Sequence, residues 1–277
     1  MTVDAALGAA GAVGPFFAVR TGPPGPGGPR AEGYVPLAEA YGPPALPGPR
    51  REGEERAPAA VRSGPAAATP PAGPPAVLVR RIDAVRAGTG AGERRVAASL
   101  AFQGLAARLW SVALGPAALT GQVPGLPPDA VWWNPDRTAP DDLWLPEPAV
   151  PAGGAGDAAR RLRGAVLHGH LLPLHRATCL AARVSGALLW GNAASALAGS
   201  LRVLHGWCLA EGRPEAAERA RTVVTALLGE PPLRAAGHWR QGPERDFRRR
   251  SCCLYHRVPG GGLCGDCALR RPPCRPA

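Results

Sequence analysis

Apolar positions return at helical spacing along most of the second half of this chain. From about Ala76, Val77, Ile82 and Val85 recur near every third or fourth residue, and the pattern resumes after a Gly-rich break at 88–92. Over 95–111 the residues Leu100, Leu105, Leu109 and Val112 share one side, which predicts a helix ending before Gly115 and Pro116. Two short aromatic-rich runs follow, 131–133 and 143–145, separated by Asn134, Pro135, Asp136, Pro140 and Asp141. They predict a small hairpin with a loop too long for a tight turn. Helical spacing returns at Asp157 and continues as two or three helices to Leu209, with Pro173 as a kink or boundary. A last helix starts at Pro214, shows Ala217, Ala220, Val224, Leu227 and Leu228 on one face, and stops at Gly229. It leads through Leu233 and His238 into a cysteine-rich tail. The pattern predicts a mainly α fold, α+β with a small hairpin, followed by a short C-terminal cysteine-rich segment.

Residues 1–41 carry apolar stretches around Phe16–Phe17 and Tyr34–Tyr41, expected to form short helices or to pack on the core. Between 42 and 75 the sequence is almost all Pro, Ala, Gly and Arg, with a charged patch at 50–56. Such a stretch buries too little apolar surface to offset its ordering entropy, so a disordered insertion is expected there. The expected division is therefore 1–41, 42–75, a mostly helical domain over 76–245, and a C-terminal segment over 246–277. The uncharged run 184–201 has the length of a membrane span, but Ser185, Gly186, Gly191, Asn192, Ser195, Gly199 and Ser200 suit a buried helix with close contacts better.

Composition adjusts this picture in two ways. The chain of 277 residues holds 34 Pro and 37 Gly, so one domain of less than the full length is expected. Its formal net charge of +11 comes from Arg alone, since no Lys occurs, and so it reflects base composition more than a nucleic-acid partner. Anionic partners fit the charge: an acidic electron-transfer protein, an anionic chelate, or the inner face of a membrane, to which the chain would bind peripherally. No nucleic-acid partner is expected, because aromatics are 5% and no groove-reading motif appears. The N-terminal stretch lacks a basic leader and includes Asp4, which reads as a cytoplasmic protein. The run Gly88-Thr-Gly-Ala-Gly92 lacks dinucleotide-binding spacing.

The chemistry concentrates in the tail. Five of the seven Cys lie in the last 26 residues, while Cys179 and Cys208 stand alone in apolar helical sequence as small buried hydrophobes. Cys252 and Cys253 are followed by ten residues and then by Cys264-Gly-Asp-Cys267. A Cys-x-x-Cys turn brings two thiolates to one metal, and Pro259 with Gly260, Gly261 and Gly262 can reverse the chain so that the two pairs meet. Four thiolates suit either tetrahedral zinc or an iron–sulfur cluster. Adjacent side chains on an extended strand point opposite ways, so gripping one small ion needs a bent backbone, whereas a two-iron cluster is wider. Spacing therefore leans to the cluster and leaves zinc open.

The run FRRRSCCLYHRVPGGGLCGDCAL from Phe247 resembles the C-terminal segment of the FhuF-like ferric siderophore reductases, in which a Cys-Cys-x10-Cys-x2-Cys pattern holds a [2Fe-2S] cluster. Cys252, Cys253, Cys264 and Cys267 match the four family positions, so the resemblance implies that they are the metal ligands and the cofactor-binding residues. The segments RRVAASLAFQGLAARLWS (94–111) and VSGALLWGNAASAL (184–197) resemble the family body, and Gly14–Phe17 echoes it. The stretch 42–75 falls outside the resemblance, and His256 stands where the family has Tyr.

Other candidates carry blander readings. Cys274 is a terminal thiol, and His256 suits a hydrogen bond near the cluster better than ligation. Asn192, Ser185 and Trp190 read as core polar and packing residues rather than substrate contacts. His168 and His170 lie two apart on different sides of a helix, so with His175 they read as solvated or core-edge residues, not a metal site. From Asp246 onward seven Arg face two Asp, and guanidinium groups near a cluster favour its reduced form. The expected function is one-electron reduction of chelated Fe(III), releasing Fe(II) in the cytoplasm, with no catalytic residue beyond the cluster. The sequence carries no flavin or nicotinamide motif, so an electron-donor protein or reductant is required. The alternatives are a structural zinc-binding interaction module and a cluster-based redox sensor.

Overall fold

The computed structural model describes residues 2–42, 73–150, 157–240 and 247–269. The expected insertion over 42–75 and the thiol of Cys274 lie almost entirely outside them. The fold is mainly α, with a few short strands.

Its centre is α4, Arg94–Thr120, apolar on nearly every side and correspondingly buried all round. Phe102, Leu109, Trp110, Ala113 and Leu114 sit at its heart. Helices α1 (Val3–Gly11), α3 (Ala76–Thr89), α7 (Gly186–Ala210) and α8 (Pro214–Leu228) pack around it. Among the described residues α4 is the helix whose length and composition suit a membrane span, but 78% of its apolar window is buried by its neighbours. The run 184–201 enters α7 at Gly186 and from Leu188 onward is mostly buried as expected, with Leu189, Ala193 and Leu197 in the core.

The expected end of α4 is too early. The helix continues through Gly115 and Pro116 to Thr120. Pro116 removes one backbone donor, yet Ala10 and Phe17 pack so tightly on Gly115 that a Cβ there would lie 2.8 Å from the Ala10 methyl. Tertiary packing thus compensates for the lost hydrogen bond.

The chain over 158–182 is continuous helix in three parts: α5 (Ala158–Leu162), π-helical turns over Arg163–Leu171, and α6 (Leu172–Ala182). Asp157 caps its start by accepting from the Ala159 and Arg160 N–H groups. Pro173 marks the boundary as expected: it lies in the first turn of α6, where the wider ladder returns to α geometry.

The hairpin forms between β3 (Trp132–Trp133) and β4 (Leu143–Leu145). The N-terminal segment flanks it on both sides. Strand β1 (Arg20–Thr21) pairs in parallel with β4, and β2 (Val35–Pro36) pairs antiparallel with β3. Between them lies a short helical turn, α2 (Gly28–Ala31). Arg108, buried on α4, ties these pieces together: it pairs with Asp142 at 2.7 Å and donates to the carbonyls of Phe16, Ala18 (2.8 Å) and Pro15 (3.1 Å).

His170 overturns the expectation of a solvated or core-edge residue, for it is fully buried. Its Nε2 lies 2.7 Å from the Leu126 carbonyl, which can only accept, so Nε2 carries the proton and Nδ1 accepts from the Tyr41 hydroxyl at 2.6 Å. With both nitrogens satisfied it can lie in the core as a neutral ring, and burial pushes its pKa down to about 4. His168 is exposed, and His175 stacks on Trp190 with centroids 4.5 Å apart.

Candidate metal centre

After α8, a second hairpin missed in the sequence delivers the cysteines to the body. Strand β5 (Gly237–Trp239) pairs antiparallel with β6 (Phe247–Arg249), whose end opens directly into the Cys252–Cys253 pair. Its strands are three residues each and carry no alternating apolar run, which is why periodicity did not reveal them.

Past the pair the backbone bends sharply. Leu254 adopts a left-handed conformation, φ 68°, and starts a 3-10 turn over Tyr255–Arg257. This is the bent backbone that neighbouring thiols need in order to serve one centre. The turn closes over Pro259–Gly262, where a Cβ on Gly261 would lie 2.3 Å from the Tyr255 carbonyl oxygen, so only glycine fits. The chain then returns to Cys264, and the Cys267 N–H bonds to the Cys264 carbonyl at 3.0 Å to form the Cys-x-x-Cys turn.

The reversal brings the first pair to the second: the Cys253 and Cys264 sulfurs lie 3.6 Å apart. Backbone N–H groups approach other sulfurs, Leu254 to Cys252 at 3.3 Å and Leu269 to Cys267 at 3.4 Å. His256 reaches Cys252, Nδ1 to Sγ 3.3 Å, in the hydrogen-bonding place expected of it. Among the described residues, no three His, Cys, Asp or Glu side chains are grouped around one ion-sized point. Cys253 is buried, and its thiol is drawn down to about 7, first by the hydrogen bond with Cys264, then by the Tyr255 N–H and the Arg249 charge, which together outweigh burial. Cys264 is pushed up by its hydrogen bond to Cys253 and by burial. Cys208 is buried in α7 as expected, whereas Cys179 in α6 is only half-buried against the core; burial raises both thiols, which makes them inert packing groups.

Polar side chains of the apolar helices hold the segment in place. The Ser99 hydroxyl on α4 donates to the Cys253 carbonyl at 2.7 Å, and Asn192 on α7 donates to the Ser99 carbonyl and hydroxyl at 2.8 and 2.9 Å. The same Asn192 accepts from Arg249 through Oδ1. One turn further along α7, Ser195 donates to Asp266 at 2.5 Å, and Arg202 pairs with the other Asp266 oxygen at 2.6 Å. Asn192 is thus a satisfied core polar group, as read from the sequence. Arg249, Asp266, Ser99 and Ser195 had not been assigned to the site. The signal for Ser99, Asn192 and Ser195 was their position as polar residues on otherwise apolar helices.

Residues 249–269 match the family model of the FhuF 2Fe-2S C-terminal domain. The match is consistent with an FhuF-like protein, and the cofactor it indicates is a [2Fe-2S] cluster. Comparison with curated proteins gives no match.

The local chemistry fits such a group. Four thiols lie within one short segment, N–H groups point at sulfur, and the buried Arg249 guanidinium has two nitrogens, Nε and Nη1, without a nitrogen or oxygen partner among the described residues. An anionic sulfur-rich cofactor is what such donors suit.

Proposed function

We propose that this protein is a one-electron reductase of chelated Fe(III), of the ferric siderophore reductase type, with Cys252, Cys253, Cys264 and Cys267 as the ligands of its [2Fe-2S] cluster. The observation that carries the reading is the FhuF 2Fe-2S match over 249–269, laid on a segment whose fold brings Cys253 of the first pair against Cys264 of the second. When bound, the cofactor supplies a reversible one-electron couple.

The chain's own residues do the rest. Ser99, Asn192, Ser195 and Arg202 clamp the segment to α4 and α7, so the thiolates are held by a rigid helical surface. Tyr255, 41% exposed beside the first pair, leaves the segment open to solvent and so to a chelate. One electron converts the hard Fe³⁺ of the substrate to Fe²⁺, which oxygen donors hold far less tightly, so iron is released with the chelator intact. The electron comes from a separate reductant or electron-donor protein and the substrate is a ferric siderophore or other Fe(III) chelate. The proposed setting is the cytoplasm, where thiolate ligands stay reduced, with the Arg-rich surface available for peripheral contact with the inner face of the membrane.

The test is anaerobic and single-turnover. Dithionite-reduced protein, freed of excess dithionite, is mixed with ferric hydroxamate chelates while the visible band is followed. Reoxidation should be at least about tenfold faster than with the iron-free chelator, and ferrous iron should appear one for one with oxidised protein. Equal rates with and without iron would remove the reductase reading.

A further inference from the structure

Arg249 occupies an unusual position for a charged residue. It is 1% exposed, at the end of β6 and three residues before the first cysteine. Its backbone is pinned on one side by the β5 ladder and on the other by its N–H bond to the Asp266 carbonyl at 3.1 Å. Its guanidinium donates from Nη2 to Asn192 Oδ1 and faces the Cys264 side chain, while Nε and Nη1 have no nitrogen or oxygen partner among the described residues. Gly191 on α7 leaves the room for this, since a Cβ there would stand 3.2 Å from Nη2.

The nearby carboxylate does not neutralise the charge. Asp266 gives one oxygen to Ser195 and the other to Arg202, and Arg249 forms no ion pair among the described residues. A buried guanidinium with unpaired donors is costly unless an anion meets it. Its guanidinium lies within hydrogen-bonding reach of the Cys264 side chain, and Cys253 lies beside that thiol at 3.6 Å.

We propose that Arg249 is the positioning residue that sets the potential of the cluster, its free guanidinium N–H groups being offered to the cluster's sulfur atoms. Reduction adds one negative charge to an already anionic group, and a fixed cation in a low-dielectric setting stabilises the more negative form more. Arg249 therefore raises the potential. The Asn192–Ser99 pair holds it in place, because Asn192 Oδ1 receives Nη2 while its amide is fastened to α4. The inference rests on the cluster and its proposed ligands, but not on the identity of the electron acceptor.

The experiment compares full-length wild type with Arg249→Gln, which is neutral, and Arg249→Lys, which keeps the charge. Cluster content is read by iron and sulfide analysis, and the potential by anaerobic titration of the visible band with redox dyes. At one solution potential the reduced-to-oxidised ratio of R249Q should fall by at least about tenfold, equivalent to about 59 mV for one electron, with R249K between the two. A loaded R249Q whose ratio stays within about twofold of wild type, or an R249K displaced as far as R249Q, would overturn the proposal. Should R249Q take up no cluster, thermal unfolding of the chelator-treated proteins decides. Removing an unpaired buried charge should leave metal-free R249Q melting no lower than metal-free wild type, whereas a lower melting temperature would make Arg249 a structural residue only. A normal potential in R249Q leaves the ferric reductase reading untouched, and failure of wild type to react with ferric chelates leaves the Arg249 measurement intact.

Discussion

The helical body and the cysteine segment are held by opposite kinds of force. In the body, α4 and α7 meet mainly through buried Ala, Leu and aromatic side chains, and the polar contacts between them are the Ser111–Ser200 hydroxyl pair at 2.8 Å and the bonds from Asn192 to Ser99 beneath the cysteine segment. The segment over 247–269 has few core residues of its own, chiefly Phe247, Cys253 and Val258, and attaches to the same helices through a chain of hydrogen bonds and ion pairs. Apolar burial is non-directional and tolerates small shifts, whereas hydrogen bonds specify distance and angle. A cofactor that must sit in a defined geometry therefore rides on the directional attachment, and the body supplies the rigidity behind it. The two regions should accordingly fail separately.

The sharpest separation is expected from Cys264→Ser. Visible absorption and the EPR signal of the reduced protein should vanish, while the metal-free body unfolds like metal-free wild type, because oxygen is a poor match for the cluster's iron. Retention of a wild-type spectrum would reject Cys264 as a ligand.

Arg108→Met should break the body instead. Removing one partner of the buried pair with Asp142, and with it the bonds to Pro15, Phe16 and Ala18, should cost about 3–5 kcal/mol in denaturant unfolding. The cluster spectrum of the fraction that stays folded should be unchanged.

Acid provides a milder test of the body. His170 has its folded pKa near 4 against 6.5 when free, so the unfolded chain takes up a proton that the fold refuses. Its contribution is fully present above pH 6.5 and is lost as pH falls toward 4, about 3 kcal/mol in all at about 1.4 kcal/mol per unit. Urea unfolding of metal-free protein across that range should show the slope, and His170→Gln should flatten it.

The smallest change is Gly261→Ala, aimed at the segment. Its methyl would meet the Tyr255 carbonyl oxygen at 2.3 Å, so the turn between the cysteine pairs must open, at roughly 1–3 kcal/mol of local strain. Cluster content should drop in iron analysis while the melting of the metal-free protein barely moves. A full complement of iron in G261A would show that the turn does not hold the pairs together.

The pattern of residues alone determined the helical body, the short hairpin, the last helix from Pro214 to its Gly229 stop, and the cysteine spacing that resembles an iron–sulfur segment. These are local signals: helical period, turn chemistry and ligand spacing are all written within a few residues of one another. Tertiary structure decided the rest. The passage of α4 through Pro116 depends on Ala10 and Phe17, some hundred positions away, and the burial of His170 depends on Tyr41 and Leu126. The sequence showed an Arg-rich tail but not which guanidinium lies buried beside the thiols. That follows from the place where β6 meets α7, and contacts between residues 57 positions apart, such as Arg249 and Asn192, leave no periodic trace in the chain.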